Sequence, residues 1–217
     1  VRGGWLALAL VVVLAVLYLL SIGHWRAIAV VAALSLGGTW IALNIPQLHL
    51  QERISMAKNE VKAYQEQGNA ATSVGARLQM WNFGWHLYLE KPLFGWTQQG
   101  YMEQKRQAID TKQLDPLLAE FNHPHNELLD AAAKRGTVGL LILLATYAAP
   151  FLIFFRQFHA PNNGKTRAFC VAGMLVPIGY FGFGLTQAFL PHNSGIMVYI
   201  FLMCNLWAAT LHTPPLT

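Results

Sequence analysis

Two histidines flank a proline in Asn122-His123-Pro124-His125-Asn126-Glu127, and nine residues separate Asn126 from Gly136-Thr137-Val138-Gly139 at the mouth of an apolar run. Histidine is the side chain whose ordinary pKa lies nearest neutrality, so it can take a proton from a hydroxyl at pH 7 without a metal. Pro124 suits the first turn of a helix, because its fixed φ is helical and its missing N–H would be unpaired there. His125 is therefore expected inside that first turn, where the partial positive charge of the helix end disfavours imidazolium and attracts anions. The pattern points to a neutral general base at a membrane surface, beside a phosphate-bearing substrate. Spacing alone fits equally well a pair of histidines that merely cap a helix. His123 is biased to an extended conformation by the proline that follows it and is expected outside the helix, in contact with substrate.

Other side chains can join this chemistry. Glu127 and Asp130, three apart on the same helix, are placed to orient a base or an acceptor, although a solvated helix face explains them as well; a metal held by this pair alone has little support. Arg77 in Ser73-Val74-Gly75-Ala76-Arg77-Leu78 heads a helix, where its guanidinium can join the helix-end N–H groups in gripping a phosphate. Arg2 stands one turn outside the first apolar run, and either arginine is also readable as an interfacial cation with its stem in lipid. With His123, Asn126, Glu127, Arg135 and His192 as substrate-binding candidates, the set of polar groups around His125 is complete.

These residues are carried by a chain built for a bilayer. Of 217 residues 54% are hydrophobic and 12% charged. Five runs near 5–22, 27–45, 137–155, 168–190 and 195–211 lack Asp, Glu, Lys and Arg and approach the length needed to cross ~30 Å of hydrocarbon. The expected fold is an all-α polytopic membrane protein: two transmembrane helices in 1–46, a helical loop region in 47–136 and three transmembrane helices in 137–217. Cys170 and Cys204 fall inside apolar runs without Cys or His at ligand spacing, so both read as small apolar core residues.

All ten acidic residues lie in 47–136 together with ten of the fifteen Lys and Arg, which makes that region nearly neutral. The net charge of +5 resides in Arg2, Arg26, Arg156, Lys165 and Arg167. Three of these crowd the loop 156–167, which the positive-inside rule assigns to the cytoplasm, so that 47–136, Pro191–Gly195 and the N-terminus face the other side. Basic pI thus reports orientation, and nucleic-acid binding has little support. With Val1 at the edge of an apolar run and no initiating Met, the chain is expected to be the C-terminal portion of a longer polytopic protein.

Within 47–136 the apolar positions Ile54, Ala57, Val61 and Tyr64 recur at helical steps and predict an amphipathic helix over 51–66, ended by Gly68-Asn69. A second helix is expected over 74–90, with Leu78, Trp81, Trp85 and Tyr88 along one stripe suited to a membrane interface and Lys91-Pro92 closing it. The polar stretch 97–120 carries few signals beyond a break at Asp115-Pro116. The His125 helix is expected to run unbroken into the span at 137. Gly37-Gly38 and the glycines of 179–184 are candidate close-packing sites.

Taken together, these motifs resemble the O-antigen ligase and polymerase superfamily of bacterial envelope glycosyltransferases, and within it the O-antigen ligases. The ligase pattern of His, then Asn, Ser or Gln, nine residues, Gly, two residues, and Gly, Thr or Tyr is met by His125, Asn126, Gly136 and Gly139. The family's helix-heading arginines match Arg77 and Arg2. The resemblance implies GT-C-like architecture and an inverting, metal-independent transfer without cofactor. O-antigen on undecaprenyl diphosphate would pass to a sugar hydroxyl of the lipid A core at the periplasmic face of the inner membrane. His125 would be the base, and Arg77 and Arg2 would stabilise the diphosphate leaving group. An O-antigen polymerase or a protein O-oligosaccharyltransferase would share the donor. A lipid-linked-glycan transporter is the alternative from another class, disfavoured by the lack of acidic and basic residues in the five runs.

Overall fold

The computed structural model describes residues 23–44, 50–68, 70–160 and 164–211, and positions 9, 11–13, 16, 19 and 20 of the first apolar run. The expected span at 5–22 therefore lies largely outside the described residues, as does Arg2. All regular structure among the described residues is helical. It comprises α1 (Trp25–Asn44), α2 (Leu50–Gln67), α3 (Ser73–Glu90), α4 (Thr97–Asp110), a short 3-10 helix (Pro116–Glu120), α5 (Glu127–His159), α6 (Gly164–Gly184) and α7 (Asn193–Leu211). Three of these, α5, α6 and α7, are long and apolar enough to cross a membrane, whereas the apolar helix Trp25–Ile41 within α1 is shorter.

The chain forms two compact units, one including Gly84–Glu103 and the segment from Asn122 onward, the other built on Val12–Phe83 and Gln104–Phe121. In the first, α5, α6 and α7 share a core of Leu143, Tyr147, Phe154, Cys170, Tyr199 and Met203. The ring of Phe154 lies where a Cβ on Gly173 would stand, 2.5 Å away, so the absent side chain lets α6 close on α5. Each core tyrosine has a partner for its hydroxyl: Tyr199 donates to the Thr146 carbonyl at 2.7 Å, Tyr180 to the Gly195 carbonyl at 2.9 Å and Tyr147 to Glu127 at 2.9 Å. Buried phenols pair this way because an unmade hydrogen bond costs more than a made one gains. Large apolar residues point outward instead, among them Leu141, Ile142, Met197, Phe201 and Trp207, as lipid requires and water would not tolerate. Cys204 is on that exposed side of α7, contrary to its expected place in the core; only Cys170 is buried.

The second unit packs Met80, Ala108, Leu114 and Leu118 around the first half of α3. The polar stretch 97–120, weak in sequence signals, is ordered by side chains that serve backbone groups. Asp115 caps the 3-10 helix by accepting from the Leu117 N–H at 2.9 Å, while its own N–H donates to Gln79 Oε1 at 3.1 Å. Buried Lys105 donates to the Phe121 carbonyl. Leu78, Trp81 and Tyr88 are half-buried and Trp85 is exposed, while Met80, Gly84 and Leu87 form the buried face of α3. Gly37, Gly38 and Gly179 have nothing within 4 Å of where a Cβ would be, so among the described residues they are not close-packing sites.

Three local expectations are corrected. α6 stops at Gly184, six residues short of the apolar run's end, because 185–192 turns back to bond residues of the 122–127 loop. α5 begins at Glu127 rather than at Pro124. It is also interrupted, with Gly136 at φ 64 and ψ −163, so the helix does not run unbroken into the span.

Candidate functional site

Asn126 is the N-cap of α5: its backbone is extended and its Oδ1 accepts from the Leu129 N–H at 3.1 Å. A short polar side chain at this point satisfies one of the helix's orphan donors, which gives the residue after His125 a structural reason to be Asn or Ser. His125 thus sits just before the helix, in the left-handed region at φ 51. That conformation is uncommon for a residue with a Cβ and costs on the order of 1 kcal/mol. Contacts to His123 and Gln187 help to hold it there. The His125 backbone N–H donates to Nδ1 of His123 at 3.2 Å, and His125 Nδ1 lies 2.5 Å from Oε1 of Gln187 in the loop after α6. The His123 ring meets that of half-buried His125 edge-on at 4.5 Å and that of His192 at 5.8 Å, so three histidines from two loops cluster with His123 between the other two.

Glu127 and Asp130 do not form a solvated face; they are 1% and 3% exposed. Glu127 accepts from the Tyr147 hydroxyl at 2.9 Å and from the Leu190 N–H at 2.8 Å, and so staples the 185–192 loop to the start of α5. Its Oε2 would stand 3.0 Å from a Cβ at Gly184, which explains a glycine where α6 ends. Asp130 pairs with Lys134 one turn on, and the Lys134 ammonium also donates to the Asn122 carbonyl at 3.0 Å and lies 4.9 Å above the Tyr101 ring. The phenol of Tyr101 titrates well above its ordinary range, first because it is buried and then because Asp130 is nearby. Lys134 therefore ties the base of the histidine loop to α5. Lys134→Met leaves a buried carboxylate without its ammonium and is expected to cost about 3–5 kcal/mol. Asp130→Leu combined with Lys134→Met should cost less than the single change, and melting in detergent distinguishes the two outcomes.

The motif glycines mark a junction between the 91–96 turn and α5. At Gly136 a Cβ would lie 2.3 Å from the Leu93 carbonyl carbon and oxygen, and at Gly95, φ 68, one would lie 2.5 Å from the Arg135 nitrogen. The turn takes up the hydrogen bonds that the break in α5 releases. The Thr137 N–H donates to the Pro92 carbonyl at 2.7 Å, the Val138 N–H to Leu93 at 3.2 Å, and the Trp96 N–H to Ala133 at 3.0 Å. Gly139 leaves room for the Arg135 side chain, whose Cβ would be 2.1 Å from a methyl there. Exposed Arg135 lines a cavity of about 310 Å³ between α5 and α7 with Glu127, Thr146, Leu190, Pro191 and Tyr199. The His-to-Gly spacing is thus the length of chain from the histidine loop to the α5 break.

Arg77 is half-buried, in the second turn of α3. The helix-end amides expected to help it hold a phosphate are already in use: the Val74 N–H donates to Glu60 Oε2 at 3.0 Å and the Gly75 N–H to Thr72 Oγ1 at 3.0 Å. Any anion there would rest on the guanidinium itself. Sequence reasoning missed Gln187, Tyr147 and Lys134. The available signals were a glutamine inside an apolar run and an acid four residues before a lysine.

Fold and site together define a helical, multi-pass membrane protein with a histidine loop at the head of a spanning helix. Residues 1–144 match the O-antigen ligase family (Wzy_C), and the chain belongs to it. It is 30% identical over 203 residues to an uncharacterized protein of Haemophilus influenzae, covering 93% of this chain and 50% of that one. It is also 25% identical over 147 residues to the O-antigen ligase of Escherichia coli K12, covering 67% of this chain and 32% of that protein. The chain spans about half the length of the first relative and about a third of the second.

Proposed function

We propose that the chain carries the acceptor-activating end of an O-antigen ligase, an inverting, metal-independent glycosyltransferase. The donor is O-antigen on undecaprenyl diphosphate and the acceptor a sugar hydroxyl of the lipid A core. His125 removes the hydroxyl proton as that oxygen attacks the anomeric carbon from the face opposite the leaving group. The glycosidic C–O bond to the diphosphate breaks with inversion, and the diphosphate leaves with the electron pair. Arg77 and Arg2 bind the diphosphate, and each such donor is commonly worth ~3 kcal/mol in the barrier. His123, His192 and Arg135 contact substrate, while Asn126 and Glu127 serve by shaping the loop that presents the base. The reaction is on the periplasmic face of the inner membrane, with loop 156–167 cytoplasmic, as the placement of Arg156, Lys165 and Arg167 supports.

The observation that carries this reading is the backbone of His125. In a chain that belongs to the O-antigen ligase family, the fold holds this histidine in a costly conformation, just before α5 and inside a cluster of polar rings. Backbone strain kept at a polar cluster is a mark of function. Deleting the gene in a smooth Gram-negative host tests the reaction class. The ligase reading expects rough lipopolysaccharide with accumulated lipid-linked polymer. Lipopolysaccharide carrying core plus a single repeat would identify a polymerase instead, and unchanged lipopolysaccharide with an altered glycoprotein would identify a protein O-oligosaccharyltransferase.

A further inference from the structure

We infer that Gln187 is the positioning residue for His125, holding its proton on Nδ1 so that the proton-accepting lone pair is on Nε2. The inference rests on the reading of His125 as general base and names the group that orients it. Gln187 is 62 residues away in sequence, yet its Oε1 is 2.5 Å from His125 Nδ1. An amide oxygen is only an acceptor, so the hydrogen of this bond belongs to the ring nitrogen, and a neutral imidazole then has its lone pair on Nε2. The second nitrogen of a working histidine usually needs such a partner, because a ring with the proton on the wrong atom cannot accept another.

The glutamine is itself held in place. It follows the end of α6 in a loop whose next residue, Ala188, is fully buried and whose Phe189 and Leu190 N–H groups donate to Glu127. The Gln187 and Thr186 N–H groups both donate to the Phe183 carbonyl, at 3.0 Å each. Among the described residues the titratable groups near the ring include His123, which His192 meets in turn, and Glu127, whose carboxylate is turned away onto Tyr147 and Leu190. A carboxylic acid in place of the amide would place an anion in direct hydrogen-bond contact with the imidazole.

The test compares Gln187→Ala, Gln187→Glu and His125→Ala in membranes, with purified undecaprenyl-diphosphate-linked O-antigen and lipid A core. Gln187→Ala should lower kcat on the order of 10-fold or more with little change in donor KM. Gln187→Glu keeps an acceptor for Nδ1–H and stabilises imidazolium, so it should retain activity while the acidic limb of its rate–pH profile moves up by about one pH unit. A structural role alone would not move that limb. Parental kcat in Gln187→Ala, or an inactive or unshifted Gln187→Glu, overturns the inference. Should the alanine variant fail to accumulate, the glutamate profile decides. If His125→Ala retains parental turnover the base assignment itself has failed, whereas an inactive His125→Ala beside a normal Gln187→Ala removes only the role of Gln187.

Discussion

Replacing His125 by alanine should lower turnover by ~10² or more while donor binding stays close to parental. The side chain is half-buried and makes its ring contacts to His123 and Gln187, so its loss removes a base without opening the packed core of α5, α6 and α7. Alanine also has a Cβ in the left-handed region, as histidine does, so the change adds little backbone strain. The sign of the pH dependence follows from the role: only neutral imidazole can accept the proton, so the parental rate falls as pH drops and the ring protonates. His123→Ala should behave differently. Its Nδ1 accepts from the His125 N–H, so it should loosen the loop and raise the acceptor requirement while leaving substantial turnover. Near-parental kcat in His125→Ala, in protein shown to be folded, would remove the base assignment.

Gly136→Ala should be the most damaging single methyl in the described structure. At φ 64 and ψ −163 the residue occupies a region open essentially to glycine alone, which costs roughly 1–3 kcal/mol for any other side chain. The methyl would also meet the Leu93 backbone at 2.3 Å, and a main chain cannot step aside as a flexible side chain can. Relief requires the 91–96 turn to leave α5, giving up the bonds from Thr137, Val138 and Trp96. The expected result is a sharp drop in melting temperature and in membrane accumulation. Gly37→Ala is the matched control: it is helical with open space around it, and should be neutral or stabilising by up to ~1 kcal/mol. Equal effects of the two changes would mean that the turn does not depend on the break in α5.

Much of the scaffold was legible before any coordinates. The helical spacing of Ile54, Ala57, Val61 and Tyr64 marks α2, although Ile54 itself is exposed; Gly68 marks its end and Lys91-Pro92 the end of α3, because each is a local choice made by side-chain period or backbone freedom. Apolar runs marked α5, α6 and α7 for the same reason. Hydropathy could not say where α6 ends, since Leu185-Thr186-Gln187-Ala188-Phe189-Leu190 is apolar enough to continue a span. It leaves the helix because its amides find Glu127 and its glutamine finds His125. Pro124 misled for a related reason. A proline is compatible with the first turn, but Asn126 supplies a cap oxygen that proline cannot, so the helix starts there.

The chain's own residues thus determined that it is helical and membrane-borne, with a histidine loop a fixed distance ahead of two glycines at the head of an apolar run, because period, charge placement and motif spacing are properties of neighbouring residues. Only the tertiary structure decided what those residues face. Glu127 and Asp130 are readable in the sequence as a solvated helix face or as groups orienting a base or acceptor; the loop after α6 and the Lys134 ammonium cover them. The motif glycines read only as a spacing pattern in a helix expected to run unbroken, whereas Gly136 breaks it and a turn more than forty residues earlier takes the hydrogen bonds that the break frees. The orientation of the His125 ring depends on an amide 62 positions away. Burial and partnership are relations between segments distant in sequence, and no local pattern encodes them.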